Sequence, residues 1–168
     1  MIDAFTELPE YRLLICGPLD LEPRFVTAFN EALYRRDNIE TIGWTDVTSP
    51  EFAAIRRRAI ATVYPSCSEG GGGSTITCMH AGLVPVVSTQ ASVDVGDFGS
   101  VIDDLSVDAV RRAVQALGEL PADQLEKRAR AAWEFAREHH TRDTFAADYD
   151  RFLAEVVLPE VQRRRASA

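Results

Sequence analysis

The chain of 168 residues has room for one domain with a sizeable core and little more. Its 46% hydrophobic and 26% charged residues are the ordinary balance of a soluble globular fold, and no apolar run approaches the ~18 residues that a membrane span requires. With 18 basic against 26 acidic residues the net charge is −8, which repels phosphate backbones and sets a nucleic-acid partner aside.

Residues 1–7 carry neither a basic n-region nor an apolar h-region, so no signal peptide is expected. Cys16, Cys67 and Cys78 are odd in number and lack C-x-x-C spacing, which reads as reduced thiols in a cytoplasmic protein. Over the first two-thirds, short apolar runs alternate with amphipathic stretches. Residues 12–16, 39–42, 60–64, 84–87 and 100–102 read as strands, most of them apolar on both faces as in covered parallel sheets. Phe25, Phe29 and Leu33 share one helical face after Pro23 at a first helical position. Ser49, Pro50 and Glu51 read as an N-cap, an N1 proline and an acidic first turn. Strands separated by helices give βαβ units, hence an α/β fold with a Rossmann-like, doubly wound parallel sheet of about five strands.

The last third is a helical C-terminal extension. Ser106 caps a helix with Val107, Val110, Val114 and Leu117 on one face, and Pro121 opens another with Leu125, Ala129, Ala132 and Trp133. Thr141 precedes a third, whose Phe145, Tyr149, Phe152, Leu153 and Val156 form a broad apolar stripe. Part of that stripe is expected to cover the sheet and the rest to offer a surface for self-association. Pro159 interrupts the pattern, and Arg163, Arg164, Arg165 and Ala166 read as a fraying tail. The expected division is therefore a Rossmann-like domain over 1–157 and a C-terminal tail over 158–168.

The chemically informative stretch is the loop after the third strand, which contains Glu69, Gly70, Gly71, Gly72, Gly73 and Ser74 and runs into a helix bearing Ile76 and Thr77. Consecutive glycines let a backbone approach a ligand without interference from Cβ atoms. The helix N-terminus beyond them offers unpaired N–H groups that suit a phosphate. In open α/β sheets ligands bind outside the carboxyl ends of the strands, where this loop belongs. A Walker A loop would need a lysine after its glycines, and a lipase-type oxyanion loop would need a G-x-S-x-G elbow; both are absent. An engineered Gly-Ser linker would separate self-contained segments, whereas the residues on either side read as one strand–loop–helix unit. A structural turn is the competing reading.

Tyr64-Pro65-Ser66-Cys67-Ser68-Glu69-Gly70, followed by Met79-His80-Ala81-Gly82-Leu83-Val84-Pro85-Val86-Val87-Ser88, resembles the C-terminal donor-binding domain of retaining GT-B glycosyltransferases. This is the "glycosyl transferases group 1" family, family 4. Leu14-Ile15-Cys16-Gly17 and Ile42-Gly43-Trp44 are similar to two further strand-to-turn motifs of that family. The resemblance implies the C-terminal half of a GT-B fold and an enzyme of hexosyltransferase type. Such an enzyme moves a sugar from a nucleotide-diphosphate sugar to an acceptor with retention, using no separate cofactor and no metal at the reacting centre. It implies that Glu69 faces the donor sugar as the catalytic-site carboxylate. Gly17, Trp44, the Gly70–Gly73 loop, Ser74 and Thr77 would surround the nucleotide sugar. In the family a second glutamate, which holds the ribose diol, occupies the position of Thr77. The family's first strand of this domain, its basic diphosphate-gripping pair and its N-terminal acceptor domain have no counterpart here. The expectation is therefore a fragment that is nearly inactive alone. The alternative is a non-catalytic Rossmann-like module for ligand sensing or partner docking.

Other candidates have plainer readings. Asp94, Asp97, Asp103 and Asp104 form an acidic surface stretch, for which a divalent metal is the sharper alternative. Arg56, Arg57 and Arg58 occupy consecutive helical positions and read as a solvated face. His139 and His140 fall near a helix C-terminus, where the dipole favours them, and His80 reads as a packing or solvent-facing residue.

Overall fold

The computed structural model describes residues 1–166. A short helix α1 (Ile2–Thr6) leads to strand β1 (Leu13–Cys16), a 3-10 turn (Leu19–Leu21), helices α2 (Pro23–Ala28) and α3 (Asn30–Arg35), and strand β2 (Ile39–Gly43). Helix α4 (Pro50–Arg56), strand β3 (Ala61–Tyr64), helix α5 (Gly73–His80) and strand β4 (Val84–Ser88) follow. A 3-10 turn (Thr89–Ala91) and strand β5 (Ser100–Ile102) complete the alternating part. Helices α6 (Val107–Gly118), α7 (Ala122–His139) and α8 (Arg142–Phe152), a π turn (Leu153–Val157) and α9 (Leu158–Ala166) make up the rest.

All five expected strands form, and every pairing is parallel. They do not form the single sheet that the alternation predicts. β1 pairs with β2 in one sheet, and β3, β4 and β5 form another in that order. Burial follows this division. β4, central in its sheet, is buried along its whole length, whereas β3 is only half-buried at all four residues. Glu40 in β2 pairs with Arg12 just before β1, at 3.4 Å, and with Arg58 just before β3, Nη1 to Oε1 at 3.1 Å. The amino ends of β1, β2 and β3 thus converge. Arg58 of the arginine run is a partner to Glu40 rather than a freely solvated charge.

The core gathers Leu13 and Ile15 of β1, Ile39 of β2 and Val84 and Val86 of β4. They pack with Phe5 from α1, Leu33 from α3, and Val110, Val114 and Leu117 from α6. Asn38 fastens this side: its amide Nδ2 donates to the carbonyls of Phe5, Leu8 and Tyr11 at 2.8, 3.1 and 3.1 Å, while its own carbonyl accepts from Leu13 N–H at 2.8 Å. The helix expected through Phe25, Phe29 and Leu33 is broken. Phe29 leaves helical geometry at φ −107°, ψ 17°, and its ring settles 4.9 Å from Phe25.

Caps behave as the sequence suggests. Ser49 Oγ accepts from Phe52 N–H and Ser106 Oγ from Ala109 N–H, each at 3.1 Å. Asp104 Oδ1 adds a bond from Ser106 N–H, which holds the Asp104 carboxyl below the usual range, the Ser106 side chain being the first cause and its backbone the second. Ser106→Ala removes a bond to an otherwise unpaired first-turn N–H and should cost about 1 kcal/mol. A thermal melt lowered by a few degrees (~2–4 °C) checks this.

Contacts divide the chain into Met1–Trp133 and a second unit from Glu134 onward. In the second unit the expected tail is helical instead of frayed. Pro159 lies inside a helical run that continues unbroken from α8 through the π turn Leu153–Val157 into α9, and the π turn lies directly ahead of it, where the regular i→i−4 ladder is already interrupted. Phe145, Tyr149, Phe152 and Val156 are each at least half exposed, and the Phe145 and Tyr149 rings stack at 5.9 Å. Among the described residues no helix is long and apolar enough to cross a membrane.

Candidate functional site

One cavity of ≈ 680 Å³ runs along the whole of β1 and β3 and reaches their carboxyl ends, where the turn after β2 also lines it. Gly17, directly after β1, donates its N–H to Gly43 O at 3.0 Å, which sets the β1 and β2 turns side by side. Trp44 follows Gly43 and is 71% exposed, so its indole stands as a wall rather than as core. From the β3 side come Tyr64 at the strand end, and Ser74 and Thr77 on α5. The structure therefore brings Gly17, Trp44, Ser74 and Thr77 around one space. Glu69 and Gly70 to Gly73 are not part of that lining and form a loop beside it, joined to it through Tyr64.

That loop is tied to the end of β4 and the turn that follows it. Glu69 N–H donates to Gln90 O at 3.1 Å, Ser92 Oγ donates to Glu69 O at 3.3 Å, and the buried Ser88 Oγ donates to Ser66 O at 2.5 Å. The four glycines are not equivalent. Gly71 and Gly72 have φ of +139° and +36°, in the region L-residues avoid. A Cβ on Gly72 would also overlap Val93 Cγ2 and approach Ala91 O to 3.1 Å. Gly70 and Gly73 face open space with ordinary φ, so nothing within the chain demands glycine there. Gly72 is the N-cap of α5 and supplies no side chain, which leaves the first-turn N–H groups without a side-chain acceptor. Thr75, fully buried in that first turn, has an Oγ1 without a hydrogen-bond partner among the described residues.

Glu69 is exposed, and its Oε1 accepts a 2.5 Å bond from the Tyr64 hydroxyl. That bond, then burial, pushes the Tyr64 phenol above its ordinary value of 10.0, while the Ser74 hydroxyl pulls it the other way. The neutral phenol is therefore favoured in the fold. The contact contributes below pH 10 and is lost as pH rises through the raised value. An alkaline absorbance titration should show one of the four tyrosines ionising late, and Glu69→Gln should return it toward 10. Tyr64 is the residue that sequence reasoning left without a role; five positions separate it from Glu69, and the bends at Cys67 and Ser68 bring the chain back to it.

Thr77 sits in the cavity but spends its donor elsewhere: Oγ1 donates to Gly73 O at 2.9 Å. The acidic stretch serves its own backbone. Asp94 Oδ1 accepts from Gly96 N–H, Asp103 pairs with Arg112, and Asp104 bonds Ser106. Among the described residues no three His, Cys, Asp or Glu side chains are grouped as metal ligands. Cys78 is mostly buried on α5, and burial raises its thiol above 9.0.

No protein-family model and no curated protein matches this sequence. Solved structures do match. A glycosyltransferase from Rickettsia africae ESF-5 superposes with a TM-score of 0.71 at 13% identity, over 93% of this chain and 43% of that one. WaaG, a glycosyltransferase involved in lipopolysaccharide biosynthesis, gives 0.57 at 16% identity, over 92% of this chain and 42% of the other. The chain thus spans less than half the length of either. At these identities the likeness concerns the fold alone, an α/β, Rossmann-like arrangement like that of the C-terminal half of the GT-B fold.

Proposed function

We propose that the chain is the donor-binding half of a glycosyltransferase, which holds a nucleotide-diphosphate sugar for transfer with retention of anomeric configuration. The observation that carries this reading is the glycine loop entering the uncapped N-terminus of α5 beside the cavity shared by Gly17, Trp44, Ser74 and Thr77. Backbone N–H groups from Gly73 onward would take the diphosphate, where the helix dipole stabilises charge growing on the leaving phosphate. Trp44 and Gly17 would flank the nucleotide. Glu69 would orient the sugar hydroxyls through Oε2, since Tyr64 holds Oε1. The acceptor and the rest of the diphosphate grip would come from a second domain.

Titration calorimetry with UDP-, GDP- and ADP-sugars tests the reading. Binding in the range of ~mM to high µM is expected for half a cleft. Glu69→Gln should weaken a sugar donor by about tenfold, as befits a charged hydrogen bond, and the bare diphosphate much less. Equal losses for both ligands would refute the role given to Glu69. A non-catalytic sensing module is the second reading, and one observation favours it: Thr77 has turned its hydroxyl to its own helix. Under that reading nucleotide binding persists, but turnover stays absent even when an acceptor domain is supplied.

A further inference from the structure

Glu69 carries a long side chain on an exposed loop, and such a carboxylate ordinarily wanders among rotamers. Here its backbone is held first. Its N–H donates to Gln90 O at 3.1 Å and its carbonyl accepts from Ser92 Oγ at 3.3 Å, both in the turn that follows β4. The same turn supports the group that meets its side chain. The Tyr64 ring packs on the cluster of Val87, Ala91 and Val95, and from there its hydroxyl donates to Glu69 Oε1 at 2.5 Å. One platform, residues 87–95, thus sets both ends of the contact.

The direction of that bond is fixed as well. A phenol has a single proton to give and accepts through its oxygen. The Glu69 carboxylate is the first cause of the raised Tyr64 phenol, and the Ser74 hydroxyl, from the first turn of α5, pulls against it as a donor to the same oxygen. With that oxygen accepting from Ser74, the phenol proton goes to Glu69. Among the described residues no other side chain bonds the Glu69 carboxylate.

We propose that Tyr64 is a positioning residue: it acts on the donor sugar only through Glu69, whose carboxylate it holds with Oε2 turned toward the sugar hydroxyls. The proposal rests on the donor-site reading above and adds to it the group that makes Glu69 ready before the sugar arrives. A carboxylate already in place loses little freedom on binding, and charge-assisted bonds to hydroxyls reward a fixed geometry. Loss of the phenol oxygen should therefore weaken sugar binding while the fold stays intact, since phenylalanine keeps the ring on Val87, Ala91 and Val95.

Calorimetry on the full chain tests this with UDP-glucose, GDP-mannose and ADP-glucose, and with the bare nucleoside diphosphates. The proteins compared are wild type, Tyr64→Phe, Glu69→Ala and the double variant. Tyr64→Phe should weaken the sugar donor by about threefold to tenfold and the bare diphosphate much less. In the Glu69→Ala background the same substitution should change nothing, because the group it acts through is gone. NMR relaxation of the Glu69 methylene groups, without ligand, should show them ordered in wild type and mobile in Tyr64→Phe, a signature that altered ring packing alone does not confine to Glu69. Equal donor binding by wild type and Tyr64→Phe, or equal Glu69 mobility in both, overturns the positioning role. A loss that persists in the Glu69→Ala background overturns it too, and makes Tyr64 a contact residue. Equal losses for donor and bare diphosphate overturn it by moving the effect to the nucleotide. A wild-type chain that binds none of these donors overturns the donor-site reading itself and any role of Tyr64 toward a sugar. That failure is seen in the first titration, before any variant is compared.

Discussion

Replacing Gly72 by valine should unseat the glycine loop and abolish nucleotide binding, while Gly73→Ala should leave the fold intact and still weaken binding. At Gly72 two penalties coincide. A φ of +36° is a left-handed conformation that costs an L-residue about 1–2 kcal/mol, more for a β-branched one. The new side chain would also be forced into Val93 and the Ala91 carbonyl, an overpacking penalty of about 1–3 kcal/mol. The loop can escape only by breaking the bonds that tie Glu69 to Gln90 and Ser92. Gly73 has neither problem: nothing lies within 4 Å of its would-be Cβ, and alanine suits the first residue of a helix. A thermal melt unchanged within about 1 °C, with calorimetric affinity reduced severalfold, would show that its missing Cβ leaves room for a ligand. Unchanged affinity for Gly73→Ala would place the ligand elsewhere and return the loop to a structural turn.

The strands were readable because their apolar, β-branched runs are short and bounded by turn residues, and all five appear within about two residues of the expected ends. Their division into two sheets was not readable, because pairing depends on what lies between β1 and β3 in space. The departure at Phe29 is also local: its backbone leaves helical geometry within a pattern whose spacing suits a continuous helix. Pro159 misled for a related reason. Proline usually ends a helix in its interior, but here a π turn over Leu153–Val157 precedes it and the helix carries on, a local change of bonding that periodicity does not reveal. Within the site, Gly17, Trp44, Ser74 and Thr77 could be placed at one sheet edge by counting strands. The Tyr64–Glu69 bond could not, since it depends on the course of the backbone through the bends at Cys67 and Ser68. Asn38 was equally silent: an asparagine between a helix and a strand carries no motif, yet it holds three carbonyls.

Thr77→Glu should tighten binding of ribonucleoside diphosphates by about tenfold to a hundredfold. Thr77 lines the cavity with Gly17, Trp44 and Ser74, and its hydroxyl is committed to Gly73 O on its own helix. Such back-bonding tends to bend a helix and adds little stability, so its loss should leave the melting temperature nearly unchanged. A glutamate there is acceptable to α5, because Thr77 is a mid-helix position, fifth of eight residues, and glutamate is a better helix former than threonine. Its carboxylate has the acceptors to take both hydroxyls of a ribose diol, which a threonine cannot match. Hydrogen bonds to a charged group contribute about 1.5–3 kcal/mol, and that sets the expected factor. The decisive comparison is UDP against 2′-deoxy-UDP on both proteins. If the glutamate binds the diol, its gain appears with UDP and is largely lost with the deoxy ligand. A gain of the same size for both would mean that the new charge acts on something other than the ribose. A loss for both would mean that the diphosphate lies too close to this turn of α5 for the proposed pose to hold.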